Sequence, residues 1–195
     1  MKKIPIIILT GPTAVGKTNL SIDLAKELNA EIISADSMQI YKYMDIGSAK
    51  ITKEEMDNVV HHMIDEVTPD VPFSVSEFQT RSEKYINDIH ERGKRVLVTG
   101  GTGLYLNSLI YNMDFAKSDA NNEIREKLEK ELEENGIDYM HEKLRSLDED
   151  AANRIHKNNT KRVIRAIEVC LSGNKMNDFS KDLRYNEKYK PIIIV

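Results

Sequence analysis

Residues 11–18 have the composition and spacing of a loop that binds phosphate groups. The segment reads GPTAVGKT, which fits the pattern G-x-x-x-x-G-K-[ST] in full. Glycines let backbone N–H groups wrap around phosphate oxygens, Lys17 adds a full positive charge, and the Thr18 hydroxyl is placed to bind Mg²⁺. We therefore predict that a diphosphate or triphosphate, together with Mg²⁺, is bound by the loop residues Gly11, Pro12, Thr13, Ala14, Val15, Gly16, Lys17 and Thr18.

The segments on either side of this loop supply the setting that it needs. The apolar run from Ile4 to Thr10 predicts a buried strand, and Thr18 to Leu28 predicts a helix. The N-terminus of that helix adds a partial positive charge beside a bound phosphate. We expect the apolar stripe of the helix to consist of Leu20, Leu24 and Leu28.

Two further apolar runs end in side chains that can do chemistry. Glu31 to Ala35 predicts a strand that ends at Asp36, and Arg95 to Thr99 predicts a strand followed by Gly100-Gly101-Thr102-Gly103. Ligands of open α/β sheets bind beyond the carboxyl ends of the strands. A phosphate loop, a carboxylate and a hydroxyl are therefore expected to share one cleft. Taken singly, Asp36 is also typical of a turn and Thr102 of a helix cap.

The order of these elements predicts the fold class. Residues 74–77 resemble a capping box, and the helix that follows is expected to end near Arg92, with Gly93 as its stop. Its inward side chains are predicted to be Phe78, Tyr85, Ile86 and Ile89. Alternating strands and helices predict an α/β protein with a P-loop NTPase-like parallel sheet flanked by helices.

The pattern changes after about Asp114, and residues 119–172 show only helical periodicity and many charges. This predicts an inserted all-helical subdomain, after which Lys190 to Val195 is expected to return to the sheet. We divide the chain into a core of residues 1–115, a helical insertion of residues 116–185 and a returning segment of residues 186–195. The apolar stripes of the insertion are Ile124, Leu128 and Leu132; Met140, Leu144 and Leu147; and Val163, Ile167 and Cys170.

Composition restricts the class of protein. The sequence has 195 residues, of which 40% are hydrophobic, and a single cysteine, so it can build a core but no internal disulfide. No stretch is long enough to span a membrane, and the N-terminal apolar run lacks the features of a signal peptide. We expect a soluble, cytoplasmic protein without a membrane partner, most simply a monomer. The pair His61-His62 with Asp65 lacks a fourth metal ligand and is interpreted as structural.

Longer segments of the sequence follow in the order GPTAVGKT, ISADSMQIYKYMDIGSAK, HHMIDEVTPDVPFSVSEF, VLVTGGTGLYLNSL and NNTKRVIRAIEV. In this order they resemble the signatures of the tRNA dimethylallyltransferase family. The phosphate loop is shared with many unrelated proteins, but the segments DSMQIY and GGTGLYL in this order after it are far more discriminating. The resemblance extends from about Ile4 to Val195.

This resemblance implies transfer of a dimethylallyl group from dimethylallyl diphosphate to N6 of an adenosine beside the tRNA anticodon, with Mg²⁺ as cofactor. Asp36 matches the family's catalytic aspartate, which orients or deprotonates the attacking amine. Thr102 matches a threonine that helps to hold the diphosphate and the incoming nucleoside. The tRNA-contacting positions that the resemblance implies are Asp36, Ser37, Met38, Gln39, Thr102, Arg125, Lys161, Arg162, Val163, Ile164 and Arg165.

A net charge of −4 argues mildly against a nucleic-acid partner, because phosphate neutralisation needs Lys and Arg. The basic residues are, however, locally concentrated: Lys161, Arg162 and Arg165 can line one face of a helix capped by Asn159 or Thr160. Such a stripe is often only a solvated helix face. The resemblance favours a surface that contacts phosphates.

Members of the family usually continue past the strand that ends here, with an arginine-bearing segment and a further helix. The resemblance therefore implies a chain that retains the diphosphate-binding half of the site but lacks part of its wall, and we expect a weak or inactive catalyst. Two alternatives stay open. A P-loop small-molecule or nucleoside kinase shares the loop and the fold, although no arginine-rich lid is evident. A non-catalytic RNA-binding fragment is the other, against which the intact site residues argue.

Overall fold

Short strands alternate with helices along the chain. The computed structural model describes residues 3–12, 14–113, 115, 122–174 and 183–195. Its strands are β1 (Ile4–Leu9), β2 (Ala30–Ser34), β3 (His61–His62), β4 (Arg95–Thr99) and β5 (Tyr189–Ile194). Its helices are α1 (Lys17–Leu28), α2 (Val75–Glu91), α3 (Gly103–Ile110), α4 (Asn122–Leu147), α5 (Glu149–Arg154) and α6 (Thr160–Leu171).

The strands form one sheet with the order β3-β2-β4-β1-β5. Each neighbouring pair is parallel, with Ile8 of β1 opposite Val98 of β4, and Ile33 of β2 opposite the same valine on the other side. A parallel sheet must be covered on both faces, which explains why its strands are rich in isoleucine and valine. The predicted α/β class with a P-loop NTPase-like sheet is confirmed.

Alternate side chains of the strands pack against helices on opposite faces of the sheet. On one face, Ile6 and Val98 pack with Phe78 and Ile86 of α2. On the other face, Leu97 belongs to a cluster that includes residues of α1. This two-sided core holds β1, β4 and β2 side by side, so their carboxyl ends lie at one edge of the sheet.

Local sequence signals set the bounds of α2. Ser74 is the N-cap; its hydroxyl accepts a hydrogen bond from the N–H of Glu77, and the Glu77 carboxylate accepts one from the Ser74 N–H at 2.8 Å. This reciprocal pair satisfies two N–H groups that a helix start leaves unpaired. The helix ends at Glu91, and Gly93 follows with a φ of 75°, a value that suits glycine.

Three expectations about the elements are wrong. The sequence did not predict β3, so Arg95–Thr99 is the fourth strand and not the third. Leu20 is 46% exposed, because the buried face of α1 carries Ser21, Ile22 and Ala25. Leu147 is likewise exposed, while the other two members of its stripe, Met140 and Leu144, are buried.

Helices α4 to α6 form a second compact unit. Contacts divide the chain into Met1–Met113 with Leu183–Val195, and Asp114–Asp182; the sequence placed these boundaries at residues 115 and 185. Inside the helical unit, α4 breaks at Gly136, whose φ is 80° and ψ 178°. Its core joins all three helices through Leu128, Met140, Leu144, Ala151, Ala152, Ile155, Val163, Ile164, Ala166 and Ile167. Among the described helices, none has the length and apolar character that a membrane crossing needs.

Strand β2 carries a buried carboxylate near its amino end. The Glu31 side chain is 2% exposed and is surrounded by three cationic or polar groups. Arg92 donates through both terminal nitrogens, Lys94 donates at 2.9 Å, and His62 Nε2 lies 2.8 Å from Oε2. Arg92, with His62 and Lys94, holds the pKa of the Glu31 carboxyl well below its usual range, against the opposing effect of burial.

We predict that Glu31→Gln lowers the free energy of unfolding at neutral pH by about 2 to 3 kcal/mol, because charge-assisted hydrogen bonds are lost. A carboxyl whose pKa is lowered by folding contributes stability above its ordinary value of 4.5, and this contribution is lost as the pH falls. The variant should therefore lose less stability than the wild type on acidification. Urea denaturation followed by circular dichroism at neutral and acidic pH measures both effects.

Asp88→Asn is the matched control, because Asp88 also pairs with Arg92 but its side chain is 61% exposed. An exposed pair of this kind contributes at most about 1 kcal/mol. An acid dependence in Glu31→Gln as steep as that of the wild type would contradict this role for Glu31.

Candidate phosphate-binding and transfer site

The predicted phosphate loop connects β1 to the first turn of α1. Gly16 is the N-cap of α1 with a φ of 88°, and Ala14 has a φ of 65°, so the loop backbone turns sharply at both positions. The Lys17 ammonium donates hydrogen bonds to the carbonyl oxygens of Gly11, at 2.9 Å, and Pro12. Thr13 lies outside the described residues. The lysine charge is thus held beside the loop, where an anion would neutralise it.

The carboxyl ends of β1, β4 and β2 are joined by hydrogen bonds between the segments that follow them. The Thr10 hydroxyl donates to the Gly100 carbonyl at 3.2 Å. The Ala35 N–H donates to the Thr99 carbonyl at 2.7 Å, and the Thr102 N–H donates to the Ala35 carbonyl at 3.1 Å. The sheet order places β4 between the other two strands, so its glycine-rich end connects the phosphate loop to the segment that carries Asp36.

Asp36 and Thr102 meet through Ser37. One Asp36 carboxylate oxygen, Oδ1, accepts the Met38 N–H at 2.8 Å and the Gln39 N–H at 3.3 Å. The Thr102 hydroxyl accepts the Ser37 N–H at 3.0 Å; Thr102 is the N-cap of α3, but its hydroxyl caps nothing in that helix. Asp36 is therefore a turn residue, as one interpretation predicted, and the hydrogen bonds of this turn use only its Oδ1. None of the described residues donates to its other oxygen, Oδ2.

These segments surround a cleft of about 280 Å³. Lys17, Thr18 and Asp36 share it, which combines a cation, a hydroxyl and a carboxylate. This arrangement suits a polyphosphate that binds Lys17 and the N–H groups of the loop. The Asp36 carboxylate is then placed to accept a proton or a hydrogen bond from a nucleophile. The described lining residues are Ala14, Gly16, Lys17, Thr18, Ser21, Ser34, Asp36, Gln39, Ser48, Ala49, Ile51, His61, Ile64, Thr99, Gly100 and Gly101.

The segment between β2 and β3 contributes cleft residues that were not predicted individually, among them Ser48, Ala49 and Ile51. Lys50, whose side chain is 4% exposed, anchors this segment. Its ammonium donates to the Tyr41 carbonyl at 2.7 Å and to the carboxylates of Asp45 and Asp65. Burial lowers the pKa of Lys50, but the two carboxylates outweigh it and leave the pKa above its usual value. Local sequence spacing could not predict this anchor, because Asp45 and Asp65 are five and fifteen residues away from Lys50.

His61 lines the cleft from β3. Its Nδ1 lies 2.8 Å from the Val59 carbonyl, and burial lowers the pKa of the imidazole below its usual value in spite of this contact. His62 instead reaches the buried Glu31 carboxylate. The two histidines therefore have different partners. Within the described ranges, no group of three or more acidic, histidine or cysteine side chains is arranged to hold a metal ion.

The remaining predicted contact residues lie in the helical unit. Asn159 is the N-cap of α6, with its side chain accepting the Arg162 N–H, and Lys161 and Arg162 are exposed. Arg165 and Arg125 have side chains that are 40% and 47% exposed. Val163 and Ile164, also predicted as contact positions, are 1% and 5% exposed and pack in the helical core. Their side chains therefore help to orient α6 within the helical unit.

A parallel α/β sheet whose first strand leads through the sequence GPTAVGKT into a helix defines a P-loop NTPase-like fold. The family described as IPP transferase matches residues 39–195, and the chain belongs to this family. The tRNA dimethylallyltransferase of Clostridioides difficile (strain 630) is 77% identical over 195 residues, which are 100% of this chain and 63% of that protein.

Solved structures support the same assignment. A tRNA delta(2)-isopentenylpyrophosphate transferase from Staphylococcus epidermidis is 47% identical with a TM-score of 0.60, over 97% of this chain and 62% of that one. A eukaryotic dimethylallyltransferase acting on tRNA is 31% identical with a TM-score of 0.81, over 98% of this chain and 48% of that one. The chain thus spans less than two thirds of the length of each of these relatives.

We predict that Gly100→Ala destabilises the protein by about 3 kcal/mol and displaces Thr102 from Ser37. A Cβ at position 100 would lie 2.3 Å from the Ala35 carbonyl oxygen and 2.9 Å from its Cα, and backbone cannot yield as a side chain can. Urea denaturation measures the stability.

Gly101→Ala is the control, because a Cβ there meets no atom within 4 Å. Its midpoint of denaturation should stay close to that of the wild type. Equal midpoints for the two alanine variants would show that the close approach at Gly100 does not matter for stability.

Proposed function

We propose that this chain binds dimethylallyl diphosphate and transfers the dimethylallyl group to N6 of the adenosine that follows the tRNA anticodon, releasing diphosphate. The observation that carries the proposal is the shared cleft, in which Asp36 lines the same space as Lys17 and Thr18 of the phosphate loop. Membership of the IPP transferase family supports the proposed donor class. The names of the relatives support tRNA as the acceptor.

The donor side of the reaction relies on the phosphate loop. As the bond between the allylic carbon and the diphosphate oxygen breaks, negative charge grows on the leaving diphosphate. Lys17 and the N–H groups at the start of α1 stabilise that charge where it forms. In the structure the Lys17 ammonium is 2.9 Å from the Gly11 carbonyl, so it can exchange this contact for a phosphate oxygen without leaving the loop.

The acceptor side relies on Asp36. An exocyclic adenine amine is a weak nucleophile, and it loses a proton as its nitrogen bonds to the allylic carbon. Asp36 Oδ1 is occupied by the N–H groups of Met38 and Gln39, which fixes the carboxylate and leaves Oδ2 for the amine. The adenine must leave its stack to enter a cleft of this kind. Thr102, tied to Ser37, borders the same segment.

Magnesium is part of the proposal. Thr18 lines the cleft together with Lys17 and Asp36. The hydroxyl at this position of a P-loop binds Mg²⁺ together with the phosphates of the ligand. Bound there, Mg²⁺ would neutralise charge on the diphosphate oxygens. The protein offers it few ligands of its own, so we expect metal and diphosphate to bind together.

We predict that Lys17→Met weakens the binding of inorganic diphosphate by about 10- to 100-fold, because a charged hydrogen-bond donor to the anion is lost. Isothermal titration calorimetry with and without Mg²⁺ measures the affinity. Lys26→Met, at the last turn of the same helix, is the control and should bind as the wild type does. Equal affinities for all three proteins would contradict the role of the loop.

We predict that Asp36→Asn lowers the rate of label transfer from radioactive dimethylallyl diphosphate to unmodified tRNA by about 10²- to 10⁴-fold, because the general base is lost. Asparagine keeps an oxygen that can accept the Met38 and Gln39 N–H groups, so the turn survives while the charge does not. Transfer by the wild type should require Mg²⁺.

Asp23→Asn, an exposed acid on α1, controls for the loss of one charge and should keep the wild-type rate. Transfer by Asp36→Asn at the wild-type rate would remove Asp36 from the reaction. Failure of the wild type to transfer label, combined with phosphorylation of a small acceptor by labelled ATP, would replace the proposal with a kinase.

A further inference from the structure

Glu168 is a buried carboxylate in the helical unit, on the inner side of α6. Its side chain is 7% exposed, although it carries a charge that water would solvate better. Each of its oxygens faces a different arginine. Oε2 accepts from Arg165 at 3.2 Å, and Oε1 lies 3.9 Å from Nε of Arg125 on α4.

The two arginines are partly exposed and keep most of their donors. Their side chains are 47% exposed for Arg125 and 40% for Arg165. To the described residues, Arg165 donates through one terminal nitrogen. Arg125 donates to them only through Nε, and its acceptor is the exposed Glu129 at 3.4 Å, so its contact with Glu168 is an ion pair without a hydrogen bond. A guanidinium has five N–H donors in a planar fork, so several remain on each arginine for a phosphate oxygen.

Stability does not account for the charge of Glu168. Within the part of the chain that the structure describes, Oε1 accepts no hydrogen bond, so the carboxylate is desolvated but only half satisfied. A buried ion pair with this geometry contributes little to folding, and a neutral side chain of the same size would often serve as well. The negative charge at Oε1 therefore needs a reason other than stability. The exposed Arg125 guanidinium, 3.9 Å away, suggests that this charge orients the arginine.

We propose that Glu168 is a positioning residue that fixes the Arg125 and Arg165 guanidiniums for contact with the phosphate backbone of RNA. This proposal rests on the proposed function, which makes tRNA the acceptor. Glu168 accepts a hydrogen bond from Arg165 and attracts Arg125 as an ion-pair partner, which restricts both long side chains before RNA arrives. Fixing them in advance reduces the side-chain entropy that is lost on binding, which favours affinity.

The sign of one substitution separates this role from a purely electrostatic one. Glu168→Gln removes a negative charge from a protein that binds a polyanion, so charge alone predicts unchanged or tighter binding. Positioning predicts the opposite: about tenfold weaker binding of tRNA, because Arg165 loses its charged hydrogen-bond acceptor and Arg125 loses its ion-pair partner on α6. Fluorescence anisotropy with labelled, unmodified tRNA at several salt concentrations measures the dissociation constant.

Two further variants make the result specific. Glu126→Gln removes an exposed acid from α4 and is expected to bind tRNA as tightly as the wild type or more tightly. Arg165→Gln is expected to weaken binding by itself. Adding Glu168→Gln to it should then weaken binding by clearly less than tenfold, because part of the effect of Glu168 acts through that arginine. Fully additive effects would contradict the coupling.

The outcomes also distinguish this proposal from the one on which it rests. A wild type that binds tRNA while Glu168→Gln binds it equally or more tightly overturns the positioning role and leaves the transferase proposal intact. A wild type that binds diphosphate but not tRNA overturns both. Thermal denaturation of each variant by circular dichroism accompanies the binding data. Weaker tRNA binding by Glu168→Gln at an unchanged melting temperature supports positioning. A loss of affinity that merely follows a loss of folded protein counts against it.

Discussion

The close approach of Gly100 to the Ala35 carbonyl is the constraint on which the site depends. Only a residue without a Cβ leaves room for the end of β4 to cross so near the end of β2. The Thr102 N–H then reaches the Ala35 carbonyl, and the Thr102 hydroxyl reaches the Ser37 N–H. Because β4 lies between β1 and β2, the same crossing brings the phosphate loop and Asp36 into one cleft.

Strand β2 has a structural carboxylate, Glu31, near its amino end and a proposed catalytic carboxylate, Asp36, just beyond its carboxyl end. Near its amino end, Glu31 is buried and fully engaged by Arg92, Lys94 and His62, which suits a group that holds elements together. Beyond its carboxyl end, Asp36 is only partly buried and engages one oxygen, which suits a group that must still accept a partner. Glu168 in the helical unit resembles the second case, because none of the residues that the structure describes donates a hydrogen bond to its Oε1.

The proposed chemistry divides between two kinds of group. Fixed backbone N–H groups and Lys17 serve the anion, whose position is the same before and after the bond breaks. The Asp36 side chain, on the segment that follows β2, serves the acceptor adenosine, which is much larger than the diphosphate and must enter and leave the cleft. Lys50, buried against Asp45 and Asp65, gives the segment between β2 and β3 a fixed anchor although this segment contains little regular structure.

The sequence by itself determined the features that depend on near neighbours. The strand and helix on either side of residues 11–16, the capping box at Ser74 and the strand Arg95–Thr99 were predicted correctly, because spacing and periodicity within a few residues encode them. Only the tertiary structure decided which side chains meet. Strand β3 is too short to show a period, and the burial of Val163 and Ile164 depends on how α6 is turned toward α4. The lining of the cleft by Ser48 and His61, and the pairing of Glu168 with Arg125, join residues distant in sequence, and local spacing carries no record of such contacts.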